Sequence, residues 1–187
     1  MVTLTKHALP TENGQFMTRL FLYSGLAAEM VLLPGFALQN NALAAATLAL
    51  LLLVACATGW WGAKRIRLAR LDMGFLIGAG GMLLLVLASR ETESWRSLIP
   101  GAVVSGVGQG MVLTAVNAMK SRTASLTHSL SGRTGLFMAG SVLLTGICLA
   151  IVQQCPGMSG FPYAFALLLD LALLGALYAK LNQQEGE

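Results

Sequence analysis

The sequence predicts an all-α membrane protein with six transmembrane helices and both termini on one side, and three observations carry that prediction. Six apolar stretches follow one another along 187 residues, at 19–38, 42–62, 71–89, 98–119, 135–152 and 161–181. Each approaches the roughly 20 residues that a helix needs to cross a hydrocarbon core of about 30 Å. A helix is the natural spanning form because it satisfies its backbone hydrogen bonds internally. Hydrophobic residues make up 56% of the chain, charged residues only 11%, and the mean hydropathy is +0.71, whereas a soluble domain carries about 25% charged residues. Finally, the basic residues gather in alternate loops.

Taken in order, residues 1–17 form a polar segment containing Lys6, His7, Glu12 and Asn13. They lack the basic start, apolar centre and small-residue cleavage site of a secretory signal, so this segment reads as a cytoplasmic extension. The first span holds Glu29 at its centre and Pro34-Gly35 near its end, where a bend is expected. The second span closes on Trp60 and Trp61 and is followed by Lys64, Arg65, Arg67 and Arg70. The third contains the pair Gly74 and Gly78, and the fourth the pair Gly106 and Gly110. This spacing in an apolar span lets two helix backbones approach closely. Along the fourth span, Ser105, Gln109 and Asn117 fall within a wedge of roughly 120°. Along the fifth, Thr134, Ser141, Thr145 and Cys148 form one narrow stripe of small, weakly polar groups, which reads mainly as a packing face. The sixth span has Asp170 at its centre and Lys180 near its end, and 182–187 is a polar tail. One transmembrane domain, 18–181, accounts for the rest of the chain.

The charge pattern orients these spans. Lys6, Arg19, the Lys64–Arg70 group, Lys120, Arg122, His128, Arg133 and Lys180 all belong to one side. On the other, the first and fifth loops carry no charge, and Arg90 and Arg96 are balanced by Glu91 and Glu93. The positive-inside rule places the basic side, with both termini, in the cytoplasm. The same placement explains the net charge of +4 as a topology signal, so no nucleic-acid partner is expected.

Acids within spans are costly and often functional. Glu29 and Asp170 are therefore the candidate proton- or cation-binding groups. The alternative for each is a buried neutral carboxyl hydrogen-bonded to a neighbouring helix. Neither has a basic partner at its own depth. Ser105, Gln109 and Asn117 are candidates for lining a substrate cavity or, equally, for joining helices through hydrogen bonds. Enzyme chemistry finds little support. The two histidines are far apart, no nucleophile–base–acid pattern occurs, no metal-ligand spacing is present, and no cofactor is expected. The three cysteines, Cys56, Cys148 and Cys155, read as soft packing residues. A redox pair of Cys148 with Cys155 lacks any familiar spacing.

Several stretches carry a family resemblance. The run from Trp95 through Pro100-Gly101 to Gly106-Val107-Gly108-Gln109-Gly110 resembles a late span of the major facilitator superfamily drug:proton antiporters. There a Pro-Gly start leads into a GxGxG helix. Residues 125–135 are similar to the loop and helix that follow, and Leu33-Pro34 with Leu38-Gln39 looks like the end of that family's seventh span. Gly59 with Lys64, Arg65 and Arg67 falls where the family has its cytoplasmic gating loop, but Ala63 replaces the motif's Asp and Ile66 its second Gly. The resemblance covers roughly 33–181 and implies the C-terminal six-helix half of a major-facilitator bundle. It further implies a proton-coupled exporter of small amphipathic or cationic compounds in a bacterial cytoplasmic (inner) membrane. The complementary half would be a second six-span chain or a second copy, or else the chain would be a truncated fragment of a larger transporter. Against this stands a different class, a six-helix accessory or assembly subunit that transports nothing.

Overall fold

The structure, a computed structural model, describes residues 12–66, 71–91, 94–122, 130–155 and 160–184. The elements in order are α1 (Glu12–Leu38), α2 (Ala42–Ile66), α3 (Leu71–Glu91), a single 3-10 turn (Trp95–Leu98), α4 (Ile99–Arg122), α5 (Leu130–Gln154) and α6 (Gly160–Gln184). No strand occurs among the described residues. All six helices are long and apolar enough to cross a membrane, and the chain is an integral, multi-pass membrane protein.

Helix α1 begins at Glu12, inside the segment read from sequence as a polar extension. Pro34 lies within α1, and the helix continues past it to Leu38. A tight turn follows, with the Asn40 N–H donating to the Ala37 carbonyl at 2.9 Å. Asn41 then caps α2, its Oδ1 accepting from the Ala44 N–H at 2.7 Å, which satisfies one of the unpaired donors at a helix start. Pro100 sits in the first turn of α4, where its missing N–H has no intrahelical partner to lose.

Helix α4 is the most buried span. It lies along α2 and α3, while α1 lies along α5 and α6, and α3 packs on α6. Contacts between helices give the directions. Phe16 of α1 meets Phe137 of α5 at 4.8 Å and, one turn on in each helix, Leu20 stands against Gly140, so these two helices run parallel. Phe21 meets Tyr178 at 6.2 Å and Phe36 meets Phe161 at 5.1 Å, so α1 and α6 run antiparallel. Exchanging α1–α3 with α4–α6 maps the α1–α5 contact onto α4–α2 and the α1–α6 contact onto α4–α3. It leaves the α1–α4 and α3–α6 contacts in place. The α1–α2 and α5–α6 contacts fall outside this correspondence.

The glycine pairs seen in the sequence are what bring α4 so close to its neighbours. A Cβ at Gly110 would strike the Cys56 carbonyl of α2, and one at Gly106 would stand 2.9 Å from the Leu52 carbonyl. On the opposite face a Cβ at Gly108 would strike the backbone of Gly78 in α3. Helix α5 is the loose member. Among its described side chains only Cys148 is buried. Alternating chain direction puts the helix ends carrying Arg19, Lys64, Arg65 and Lys180 at one end of the bundle, and those carrying Arg90 and Arg96 at the other.

Candidate functional site

Glu29 lies on the buried stripe of α1 formed with Leu22, Leu32, Leu33 and Phe36, and its own exposure is zero. Directly opposite, α4 presents Ser105 and Gln109, one turn apart and both buried. The Ser105 hydroxyl donates to Glu29 Oε2 at 2.8 Å. The Gln109 amide Nε2 donates to the same oxygen and lies 3.3 Å from Ser105 Oγ. One carboxyl oxygen thus accepts two hydrogen bonds. The other, Glu29 Oε1, is buried with no hydrogen-bond partner among the described residues, as is Gln109 Oε1. Cys56 of α2 stands within electrostatic reach of the carboxyl.

This arrangement is a clasp between α1 and α4, close to the midpoint of both spans. Each interhelical hydrogen bond of this kind contributes about 0.6 kcal/mol on average in a membrane bundle, rising to about 1.7. Full burial of a charge with no cation at hand is far more costly than that. A proton on Oε1 neutralises the group without disturbing either bond to Oε2.

Beside the clasp is a cavity of about 30 Å³ between α1, α3, α4 and α6, bordered by Phe21, Gly25, Phe75, Gly78, Gln109 and Leu171 among others. It has room for about two waters. Among the described residues Gln109 is the one polar side chain on its wall, so the same amide touches the carboxyl and the cavity.

The other sequence candidates are placed elsewhere. Asp170 is exposed and joins neither Glu29 nor the cavity. The buried face of α6 runs through Phe161, Ala164, Phe165 and Leu168, and Asp170 lies two residues on, turned outward. A carboxyl facing lipid at the centre of a span costs about 2.5–3.5 kcal/mol on insertion scales. Asn117 is also exposed. The buried line of α4 follows Ser105, Gln109, Val112 and Val116, and Asn117 sits about 100° past it. It is therefore not among the groups facing Glu29 or the cavity.

The expected gating loop is helical as far as it is described. Helix α2 continues to Ile66, so Gly59, Lys64 and Arg65 are helix residues. Gly59 is buried, and a Cβ there would strike the Val107 carbonyl of α4, so it is a contact point between helices. Lys64 lies over the Trp60 ring at 5.6 Å and Arg65 over Trp61 at 5.1 Å. Arg67 lies outside the described residues, as do Arg70, His7, His128 and the rest of 125–129, while 130–135 open helix α5. The stripe on α5 bonds to its own helix, Ser141 Oγ to the Phe137 carbonyl at 2.8 Å and Thr145 Oγ1 to the Ser141 carbonyl at 2.7 Å. All three cysteines are free.

Sequence reasoning missed the cavity and the contribution of α3 to it. Phe75 and Gly78 carry no chemical signal of a site. Thr114 was also missed. Its hydroxyl donates within reach of both the Trp60 and Gly110 carbonyls at 3.0 Å, tying the end of α4 to α2. In comparisons with known proteins, no family model, curated protein or solved structure matches the chain.

Proposed function

We propose that the chain is one half of a proton-coupled efflux transporter for small amphipathic or cationic molecules, of major-facilitator type, in a bacterial cytoplasmic membrane. The observation that carries this reading is the Glu29 carboxyl at zero exposure, held on one oxygen by Ser105 and Gln109 and open on the other. Glu29 takes up a proton on Oε1, with water in the neighbouring cavity as the route and Gln109 as the group that connects cavity and acid. Loading and unloading change the charge at the α1–α4 contact, and alternating access follows from the differing stability of the two charge states in each conformation. The correspondence between the neighbours of α1–α3 and those of α4–α6 is the kind of relationship found in transporters built from inverted repeats, and it supports the same reading. A second six-span half, or a second copy, completes the substrate path. The ends bearing Arg19, Lys64, Arg65 and Lys180 face the cytoplasm. Asp170 is a weaker coupling candidate because it faces away from the clasp.

A second reading has an observation in its favour. Ser105 and Gln109 are turned into helix contacts, and the cavity beside them holds no more than about two waters. That is what an accessory subunit, with polar groups serving only assembly, would show. One experiment separates the two. Everted vesicles containing the chain and its native partners are energised, and efflux of a cationic dye is followed together with internal pH. The transport reading expects dye movement tied to proton flux in the native protein and its loss in Glu29→Gln, with assembly intact. Dye movement and proton flux that are absent, or unchanged by Glu29→Gln, would leave the accessory reading.

A further inference from the structure

The outward-facing carboxyl of Asp170 is unexplained by the clasp, and it stands on this structure whether or not the chain transports anything. Asp170 lies at the middle of the α6 span 160–181, ten residues from Gly160 and eleven from Leu181. It is exposed on a ridge shared with Tyr163, Leu173, Leu174 and Leu177. Among the described residues it has no hydrogen bond or ion pair. The rest of the ridge is apolar and suits lipid. A carboxyl at that depth does not, and such groups in membrane proteins are almost always covered by protein that supplies a partner.

Among its described residues this chain has no countercharge to offer at that depth. The basic residues of the described helices, Arg19, Lys64, Arg65, Arg90, Arg96, Lys120, Arg122, Arg133 and Lys180, all lie near or beyond span ends. A second copy has the same limitation. Symmetry about an axis normal to the membrane places each residue of one copy at the depth of the same residue in the other, so a partner Asp170 would meet mid-span groups that include no Lys or Arg. Charge complementarity therefore selects a different chain. We propose that the Asp170 ridge of α6 is a docking surface for a transmembrane helix of another protein that carries a Lys or Arg near the centre of its span. The ion pair sets the depth of contact, and Leu173, Leu174 and Leu177 pack along the partner. The site lies apart from the α1–α4 clasp.

The test uses the full chain in lipid vesicles, with its own tryptophans as fluorescence donors. The probes are two synthetic single-span helices of leucine carrying a dansyl acceptor, one with a central Lys and one without. The Lys helix is expected to reach half-maximal energy transfer at a mole fraction at least tenfold lower than the all-Leu helix. Asp170→Leu should abolish that difference, and Asp170→Asn should reduce it. Circular dichroism of both variants confirms that the helices persist. Equal transfer from the two probes would overturn the proposal, as would a Lys preference that survives Asp170→Leu. Self-association of the chain that disappears in Asp170→Leu would also overturn it, in favour of a second copy on this face.

Discussion

Ser105 and Glu29 are 76 residues apart in the chain and are joined by a 2.8 Å hydrogen bond in the buried centre of the bundle. That bond ties α4, already fastened to α2 and α3 through its glycines, to α1, which leads the α5–α6 side. The clasp is therefore a polar link between two parts of the bundle.

A double-mutant cycle on Ser105→Ala and Glu29→Gln measures that link. We expect a coupling of about 0.6 kcal/mol, with about 1.7 as the upper end, read from reversible unfolding in mixed detergent micelles. Strict additivity would show that the bond contributes nothing to holding α1 on α4.

Gln109 and Asn117 occupy the same helix and differ in burial, so they should respond differently to truncation. Gln109→Ala removes a donor from Glu29 and is expected to cost about 1–3 kcal/mol. Asn117→Ala, on an exposed position, should stay within about 0.5 kcal/mol of the native protein. The same unfolding measurement reads both, and equal effects would contradict the placement of the two side chains.

Gly110 admits no side chain, because a Cβ there meets the Cys56 carbonyl. Gly110→Val should force α4 from α2 and cost at least about 1–3 kcal/mol, seen as a lower unfolding midpoint and poorer recovery in mild detergent. Gly146 on α5 has open space at the same position, so Gly146→Ala should change stability by less than about 0.5 kcal/mol. A tolerated Gly110→Val would mean that the α2–α4 contact is looser than the structure has it.

The cysteines report burial and orientation together. Cys155 is partly exposed just beyond α5, and Cys148 is buried one stripe away on the same helix. A membrane-impermeant maleimide should modify Cys155 from the face opposite the basic helix ends and leave Cys148 unmodified until the protein is unfolded. Labelling of Cys155 only from the cytoplasmic side of the membrane would reverse the assignment of cytoplasmic and outer sides.

The six spans were legible in the sequence because hydropathy over about 20 residues is a local property. The turn at Gln39–Asn41 was short in the sequence and is short in the structure, and the glycine pairs at 74/78 and 106/110 mark the close contacts of α3 and α4. Ser105 and Gln109 were found as one face of α4. What they face was not legible, because Glu29 arrives from a helix three spans earlier in chain order. Gly59 misled for a different reason. A resemblance to a loop motif drew attention to the residues after Trp61, while the helix simply runs on to Ile66 and uses Gly59 against Val107.

Glu29 and Asp170 show where sequence stops and tertiary structure takes over. Each is a single acid at the centre of an apolar span, flanked by alanine, leucine or methionine, and by sequence the two are equivalent. The sequence by itself determined that six helices cross a membrane, which ends carry the basic residues, and that two carboxyls sit at mid-depth. Only the packing decided that Glu29 turns inward to Ser105 and Gln109 while Asp170 turns outward. In water an amphipathic pattern would have distinguished the two faces of each helix. In a bilayer the lipid is as apolar as the protein interior, so hydropathy no longer marks the buried side, and side-chain fit between helices settles it.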